Sequence, residues 1–309
     1  MTKDWPRKTR EYYDNHMDSR IWNDFRFRDG DIVIATYGKS GTTWMQQIVS
    51  QLIFKGEENL PVSRMSLWVE NRSNVLNEKK LGWLEKQAHR RFVKSHLPAD
   101  AIVISPHAKY IYIGRDGRDV CWSFHHHHLT ASKVMFDALN SLPDRIGPPF
   151  MPANPDPVIY FREWLEGNGH PWWPAWENIR SWWRIRHLPN VLFVHFENLK
   201  CNMESEIRRI AAFLDIEVDE QLWSKILEHC SFDYMKTRGD NIVPLGGVLW
   251  QEGAKSFMNK GKNGRWRDIL PAEDSAHYEK RAREELGAEC AHWLATGRLA
   301  TGRLVTGQV

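Results

Sequence analysis

The chain is poor in cysteine and has no long apolar run. Its 309 residues include four cysteines, Cys121, Cys201, Cys230 and Cys290, which lie far apart and form no Cys-x-x-Cys pair. That argues against a disulfide framework and a thiolate zinc site, and for a reducing compartment. No stretch is long enough to span a bilayer. Residues 1 to 30, peppered with Lys3, Asp4, Arg7, Lys8, Arg10 and Glu11, contain no apolar signal core. The expectation is a soluble, cytoplasmic protein. An excess of one charge is also missing: 42 basic against 39 acidic residues leave a net charge of +3. Nucleic acid is therefore not expected as a partner, whereas a small anionic ligand remains compatible.

Tryptophan is abundant, at 16 residues, six of them at 164, 172, 173, 176, 182 and 183. Such side chains fill a core or line an apolar pocket, and core packing is expected for most. Short strand patterns at Ile32–Ala35, 91–98 (ended by Pro98), 110–114 and 190–195 alternate with helical patterns. This predicts an α/β fold, a central parallel sheet flanked by helices on both faces. Residues 60–90 read as a loop and a helix with Trp68, Leu76, Leu81, Trp83 and Leu84 as apolar contacts. Six prolines between Ser141 and Pro157 mark an extended surface loop, the kind that serves as a lid. Six glycines among charges at 238–268 read as a mobile loop. Tyr278, Ala282 and Leu286 mark a terminal amphipathic helix. One domain is expected over 1–295, followed at 296–309 by a disordered tail repeating Thr-Gly-Arg-Leu.

The organising stretch is Asp31-Ile-Val-Ile-Ala-Thr-Tyr-Gly-Lys-Ser-Gly-Thr-Thr-Trp44, a strand, a tight turn and a helix. Gly41 allows close backbone approach, the first helical amides are unpaired, and Lys39, Ser40, Thr42 and Thr43 add a cation and three hydroxyls. A phosphate suits this turn. The Walker A order is not matched, because the lysine precedes the glycine by two residues. His96 follows Lys94 and Ser95 at a strand end, where open α/β sheets bind ligands and an imidazole can take a hydroxyl proton. Alone, such a histidine is more often a surface or hydrogen-bonding residue. Arg115 offers a planar fork for phosphate, with Ser123 eight residues on; in isolation, pairing of Arg115 with Asp116 or Asp119 is the default reading. His125 to His128 point in different directions on a helix with no completing carboxylate or cysteine, so no metal site is expected; they border an acceptor pocket instead.

Taken together these segments resemble the cytosolic-type sulfotransferases, which use 3′-phosphoadenosine 5′-phosphosulfate (PAPS). Thr36 to Trp44 is similar to the family's Thr-Tyr-Pro-Lys-Ser-Gly-Thr-Thr-Trp, with Gly38 for proline and hence a looser turn expected. Lys94-Ser-His-Leu-Pro98 resembles Lys-Thr-His-Leu-Pro, and Arg115 to Val120 resembles Arg-Asn-Pro-Lys-Asp-Val. Phe257-Met258-Asn259-Lys260-Gly261 resembles Phe-Met-Arg-Lys-Gly, with Asn259 replacing an arginine. Phe196 and the pair Cys230 and Phe232 stand where the family contacts the nucleotide, although Phe196 and Cys230 read equally as core.

The resemblance implies a P-loop-like sheet and in-line transfer of a sulfuryl group from PAPS to a phenol, alcohol or glycolipid hydroxyl. His96 would be the general base, Lys39 would neutralise the leaving phosphate, Lys94 would hold the sulfuryl oxygens, and Ser123 would restrain Lys39. Lys39, Ser40, Gly41, Thr42, Thr43 and Trp44 would hold the 5′-phosphosulfate, and Arg115, Ser123 and residues 257–261 the 3′-phosphate. The run Tyr112 to Asp119 leans toward bacterial glycolipid-type members. A nucleotide-dependent kinase and a non-catalytic nucleotide-binding protein are the competing readings. The oligomeric state is left open, because the family's Lys-x-x-x-Thr-Val-x-x-x-Glu segment is not matched around Arg267 to Glu273.

Overall fold

The structure is a computed structural model that describes residues 5–72, 76–142 and 144–305. Strands β1 (Asp31–Thr36), β2 (Phe92–Ser95), β3 (Ala108–Gly114) and β4 (Val191–His195) pair in parallel in the order β2-β1-β3-β4. Side chains alternate across this sheet. Ile32, Ile34, Ile111, Ile113, Leu192 and Val194 enter one core, whereas Val33, Ala35, Tyr110, Tyr112, Val191 and Phe193 enter another. Both faces are buried, which is why the strands read as unbroken apolar runs.

Helices α1 (Thr42–Ile53), α2 (Gly117–Leu129), α3 (Pro157–Glu166), α4 (Ala175–Arg184), α5 (Met203–Phe213), α6 (Ala272–Leu286) and α7 (Ala288–Thr296) cover those faces. Ile48, Val49 and Leu52 of α1 join Ile207 and Ile210 of α5 on the first core. Trp164, Trp176, Trp182, Tyr278 and Trp293 fill the second, from α3, α4, α6 and α7, so core packing is the main use of the tryptophans. Because β2 and β3 flank β1 on opposite sides, the carboxyl end of β1 is a topological switch point, where connections diverge and leave a crevice.

Several expectations need correction. Residues 238–268 are not simply a loop: Ile242, Val243, Trp250, Ala254 and Met258 form a third core with Ala131, Met135 and Phe150. Their apolar residues are spaced by glycine turns; Gly247, at φ 88°, lies against the backbone of Ala254 where a Cβ would come within 2.2 Å of its nitrogen. Leu76 and Trp83, expected as apolar contacts, are exposed at 62% and 51%. The tail from Thr296 is tied down at separate points, with Arg298 and residues 300–303 exposed between them: Leu299 and Val305, the latter 6% exposed, find the second core and Asn198 Nδ2 donates to the Gly297 carbonyl at 3.0 Å. Its last repeat, Thr306 to Val309, lies outside the described residues, as do Lys3, Asp4 and Pro143. The final helix α7 was not foreseen. No helix among the described residues is long and apolar enough to cross a membrane.

Candidate active site

The four strand ends bring four segments to one crevice: Tyr37–Gly41 after β1, His96 after β2, Arg115 after β3 and Phe196 after β4. Gly41 is the N-cap of α1 at φ 113°, and an added Cβ would meet the Phe196 ring at 2.9 Å and Ile113 at 3.0 Å. Only glycine fits there. The helix has no side-chain cap and no acidic residue in its first turn, an arrangement that suits an anion beside Ser40, Thr42 and Thr43. Lys39 sits at φ 63°, a left-handed conformation costly for a lysine, and thereby turns its side chain into the crevice.

Gly38 does not loosen this turn. A Cβ there would lie 2.6 Å from Phe124 and 2.9 Å from Trp173, so two rings occupy the space of the family's proline. Gly38→Pro is therefore expected to destabilise the fold by about 1–3 kcal/mol through overpacking. A thermal melt reads this, and an unchanged midpoint would contradict it.

The ammonium of Lys39 stands 3.1 Å from His127 Nδ1 and 4.3 Å above the Phe257 ring. Ser123, expected to restrain it, makes no side-chain hydrogen bond among the described residues; one turn further along α2, His127 has the longer reach. Burial, then the charges of Arg115 and Lys94, push Lys39 down to about 7. Lys94 lies over Trp68 and is pushed down to about 8 by burial. His96 Nδ1 is 2.9 Å from the Thr36 carbonyl and 3.0 Å from the Thr36 hydroxyl, which in turn meets Thr42 Oγ1 at 2.7 Å. A carbonyl only accepts, so Nδ1 carries the proton and Nε2 is the free lone pair. Burial, then Lys94, lower His96 to about 3, so it is neutral.

Glu70, which no sequence pattern flagged, is the anchor behind His96. Its carboxylate accepts from Trp22 Nε1 at 3.0 Å, Trp68 Nε1 at 2.7 Å, Ser95 Oγ at 3.0 Å and His96 N at 2.7 Å. Trp68 and Trp173 then enclose the imidazole at ring distances of 4.8 and 5.2 Å.

On the other side of the crevice the Arg115 guanidinium lies 4.3 Å over Phe196, with Nη1 donating to the Lys39 carbonyl at 3.2 Å and Nε to Asn263 Oδ1 at 2.9 Å. Asn263, also bonded to Glu197, was not singled out in the sequence. It joins the glycine-rich loop to Arg115, with Gly264 N donating to Asp119 at 2.8 Å. Trp44 packs edge-on to Phe196 at 5.3 Å and donates to the Cys230 carbonyl at 2.8 Å. The Cys230 side chain is itself fully buried in the first core. Phe232 lies against Gly261, whose added Cβ would come within 2.8 Å of its ring. Met258 is buried in the third core, Phe257 and Asn259 are partly buried, and Lys260 is exposed. Arg118, by contrast, is structural: it pairs with Asp116 and Glu279 and covers Trp266 at 4.1 Å.

The remaining histidines fasten neighbouring segments. His125 Nε2 bonds the Asn154 carbonyl at 2.9 Å, His128 Nε2 that of Met151 at 2.7 Å, and His126 Nε2 that of Ser256 at 3.0 Å. The proline-rich loop so held forms one wall of a cavity of about 420 Å³, lined by His16, Phe150, Asn154, Tyr160 and Trp172. Trp173 stands between His16 of that cavity and His96, 5.4 and 5.2 Å from their rings.

A family model described as a sulfotransferase domain matches residues 29–289. The glycolipid sulfotransferase of Mycobacterium tuberculosis (strain ATCC 25177 / H37Ra) is 28% identical over 96% of this chain and 98% of its own length. Sulfotransferase 1B1 of Mus musculus is 30% identical over 83% of this chain and 82% of its own. Among solved structures, retinol dehydratase in complex with androsterone and the inactive cofactor PAP superimposes with a TM-score of 0.64 and 25% identity, covering 86% of this chain and 83% of that one.

Proposed function

The chain belongs to the sulfotransferase domain family, and on that premise we propose that His96 Nε2 is the base that takes the acceptor's hydroxyl proton in sulfuryl transfer from PAPS. The observation that carries this role is the bond from Nδ1 to the Thr36 carbonyl, which fixes the tautomer with Nε2 as acceptor. PAPS fits the residues present. The glycine cradle at Gly41 and the uncapped first turn of α1 suit its 5′-phosphosulfate, while Arg115 and the 257–264 loop suit its 3′-phosphate. When bound, PAPS supplies the sulfuryl group, activated by its link to the phosphate. Lys39 neutralises negative charge on that phosphate, and Lys94 orients the sulfuryl oxygens; such loose transfers depend on positioning and charge rather than covalent help.

The acceptor is a hydroxyl compound, and a glycolipid is the class we infer. The similarity to the mycobacterial glycolipid enzyme runs nearly end to end. The cavity beside Trp173 combines the aromatic faces of Phe150 and Trp172 with the polar side chains of Asn154, Glu163 and His170, a mixture suited to a sugar. Incubation with labelled PAPS and separate panels of glycolipids, phenols and alcohols tests the reading. Label on a hydroxyl acceptor, greatest for glycolipid, is expected; transfer from ATP in place of PAPS would overturn it.

The charges set a pH profile. His96 acts as the neutral form, which is present above about 3, so kcat/KM for PAPS should show no acid limb near pH 6. Lys39 acts as the cation and loses its proton through about 7, so the profile should fall on the alkaline side from there. Steady-state rates between about pH 5 and about pH 9 check both limbs. A fall on acidification near pH 6 would contradict the neutral His96.

A further inference from the structure

The four-histidine turn of α2 carries one contact that the roles above do not use, between His127 and Lys39. An ammonium has only protons to offer, so His127 Nδ1 is the acceptor of the 3.1 Å bond. Its ring is fixed in an aromatic box, 4.9 Å from Trp250, 5.4 Å from Trp172, 6.0 Å from Phe257 and 6.4 Å from Phe124. The adjacent His126 bonds the Ser256 carbonyl, and the next residue, Phe257, is the ring under the Lys39 ammonium. The lysine at a strained loop position is thus gripped at its far end by an imidazole and a phenyl face tied to the same turn of helix.

We propose that His127 is the positioning residue for Lys39, holding the ammonium through Nδ1 where it meets the phosphate of PAPS. The proposal rests on the reading of Lys39 as the charge-neutralising group. Other charged or titratable groups surround that ammonium: Arg115 after β3, Lys94 on β2, His96 after it, and His126 on α2, with Arg265 of the glycine-rich loop facing Arg115 and His126. The groups acting on the ammonium itself are cationic or neutral; the carboxylates stand one layer out, Asp116, Asp119 and Glu197 about Arg115 and Glu70 behind Lys94 and His96. His127, itself kept neutral by burial and by Lys39, therefore gives the ammonium an acceptor among repelling neighbours.

The test compares His127→Phe, which keeps a ring in the box, with His127→Asn, whose Oδ1 takes the place of Nδ1. The Phe variant is expected to melt like the parent and to lose about tenfold in kcat, one hydrogen bond to a charged group. Its KM for acceptor should hold, and its alkaline limb should move to lower pH, because the cation has lost its acceptor. The Asn variant should recover most of the rate and the parent limb. A folded Phe variant with parental kcat and alkaline limb, or an Asn variant no better than Phe, overturns the proposal. Lys39→Met is run alongside: if it is inactive while His127→Phe is parental, only the role of His127 falls. A parental Lys39→Met would instead remove the Lys39 reading, and this one with it.

Discussion

His96→Gln is expected to lose at least ~10²-fold in turnover while its affinity for the PAP product, read by calorimetry, stays close to the parent's. Glutamine can fill the slot between Trp68 and Trp173 and still hydrogen-bond Thr36, but it cannot accept and hold a proton. The residues assigned to the nucleotide, from Lys39 through Trp44 and Arg115, keep their places, because His96 touches that loop only through Thr36. The two measurements separate chemistry from binding. Equal turnover with intact binding would remove His96 from the reaction, whereas loss of both would make it a scaffold for the loop.

Glu70→Ala should be the most damaging change outside the crevice. One carboxylate, 1% exposed, satisfies two indoles, a hydroxyl and the His96 amide. Removing it strands four donors, three of them buried, at a cost of about 3–5 kcal/mol. The melting temperature should fall by roughly 10 °C. Turnover should fall as well, since Trp68 and the end of β2 lose the group that fixes the imidazole's approach. Glu70→Gln, which keeps an acceptor oxygen but adds an amide with no acceptor to meet, should lie between. A Glu70→Ala protein with parental melting and turnover would show the carboxylate to be dispensable.

The parts of the site that could be read from sequence are those in which neighbours in the chain are neighbours in space. Thr36 to Trp44 is one strand, turn and helix, so its residue types and spacing carry the anion cradle directly. His96 and Arg115 were legible as strand-end residues once the alternation of strands and helices implied a parallel sheet. Glu70's bond to His96, Asn263's to Arg115 and the grip of His127 on Lys39 were not, because each is made across 26 to 148 positions of chain by packing that no local pattern records. Glycine and charge at 238–268 concealed a third core, since its apolar residues are too widely spaced to show a period. Cys230 read equally as core and as a nucleotide contact, because the family pattern alone does not say which way a side chain turns; its thiol lies in the first core and its carbonyl holds the Trp44 indole.

The last helix bears on how the protein becomes competent. Gly114 ends β3 immediately before Arg115, and a Cβ there would lie 2.3 Å from the Trp293 ring, so α7 seals the floor beneath the arginine. His195 Nε2, meeting the Leu294 carbonyl at 2.9 Å, secures the neighbouring strand end to the same helix. Arg115 thus stands on a floor supplied by a helix far along the chain, and the crevice is complete only once α7 has docked against the ends of β3 and β4.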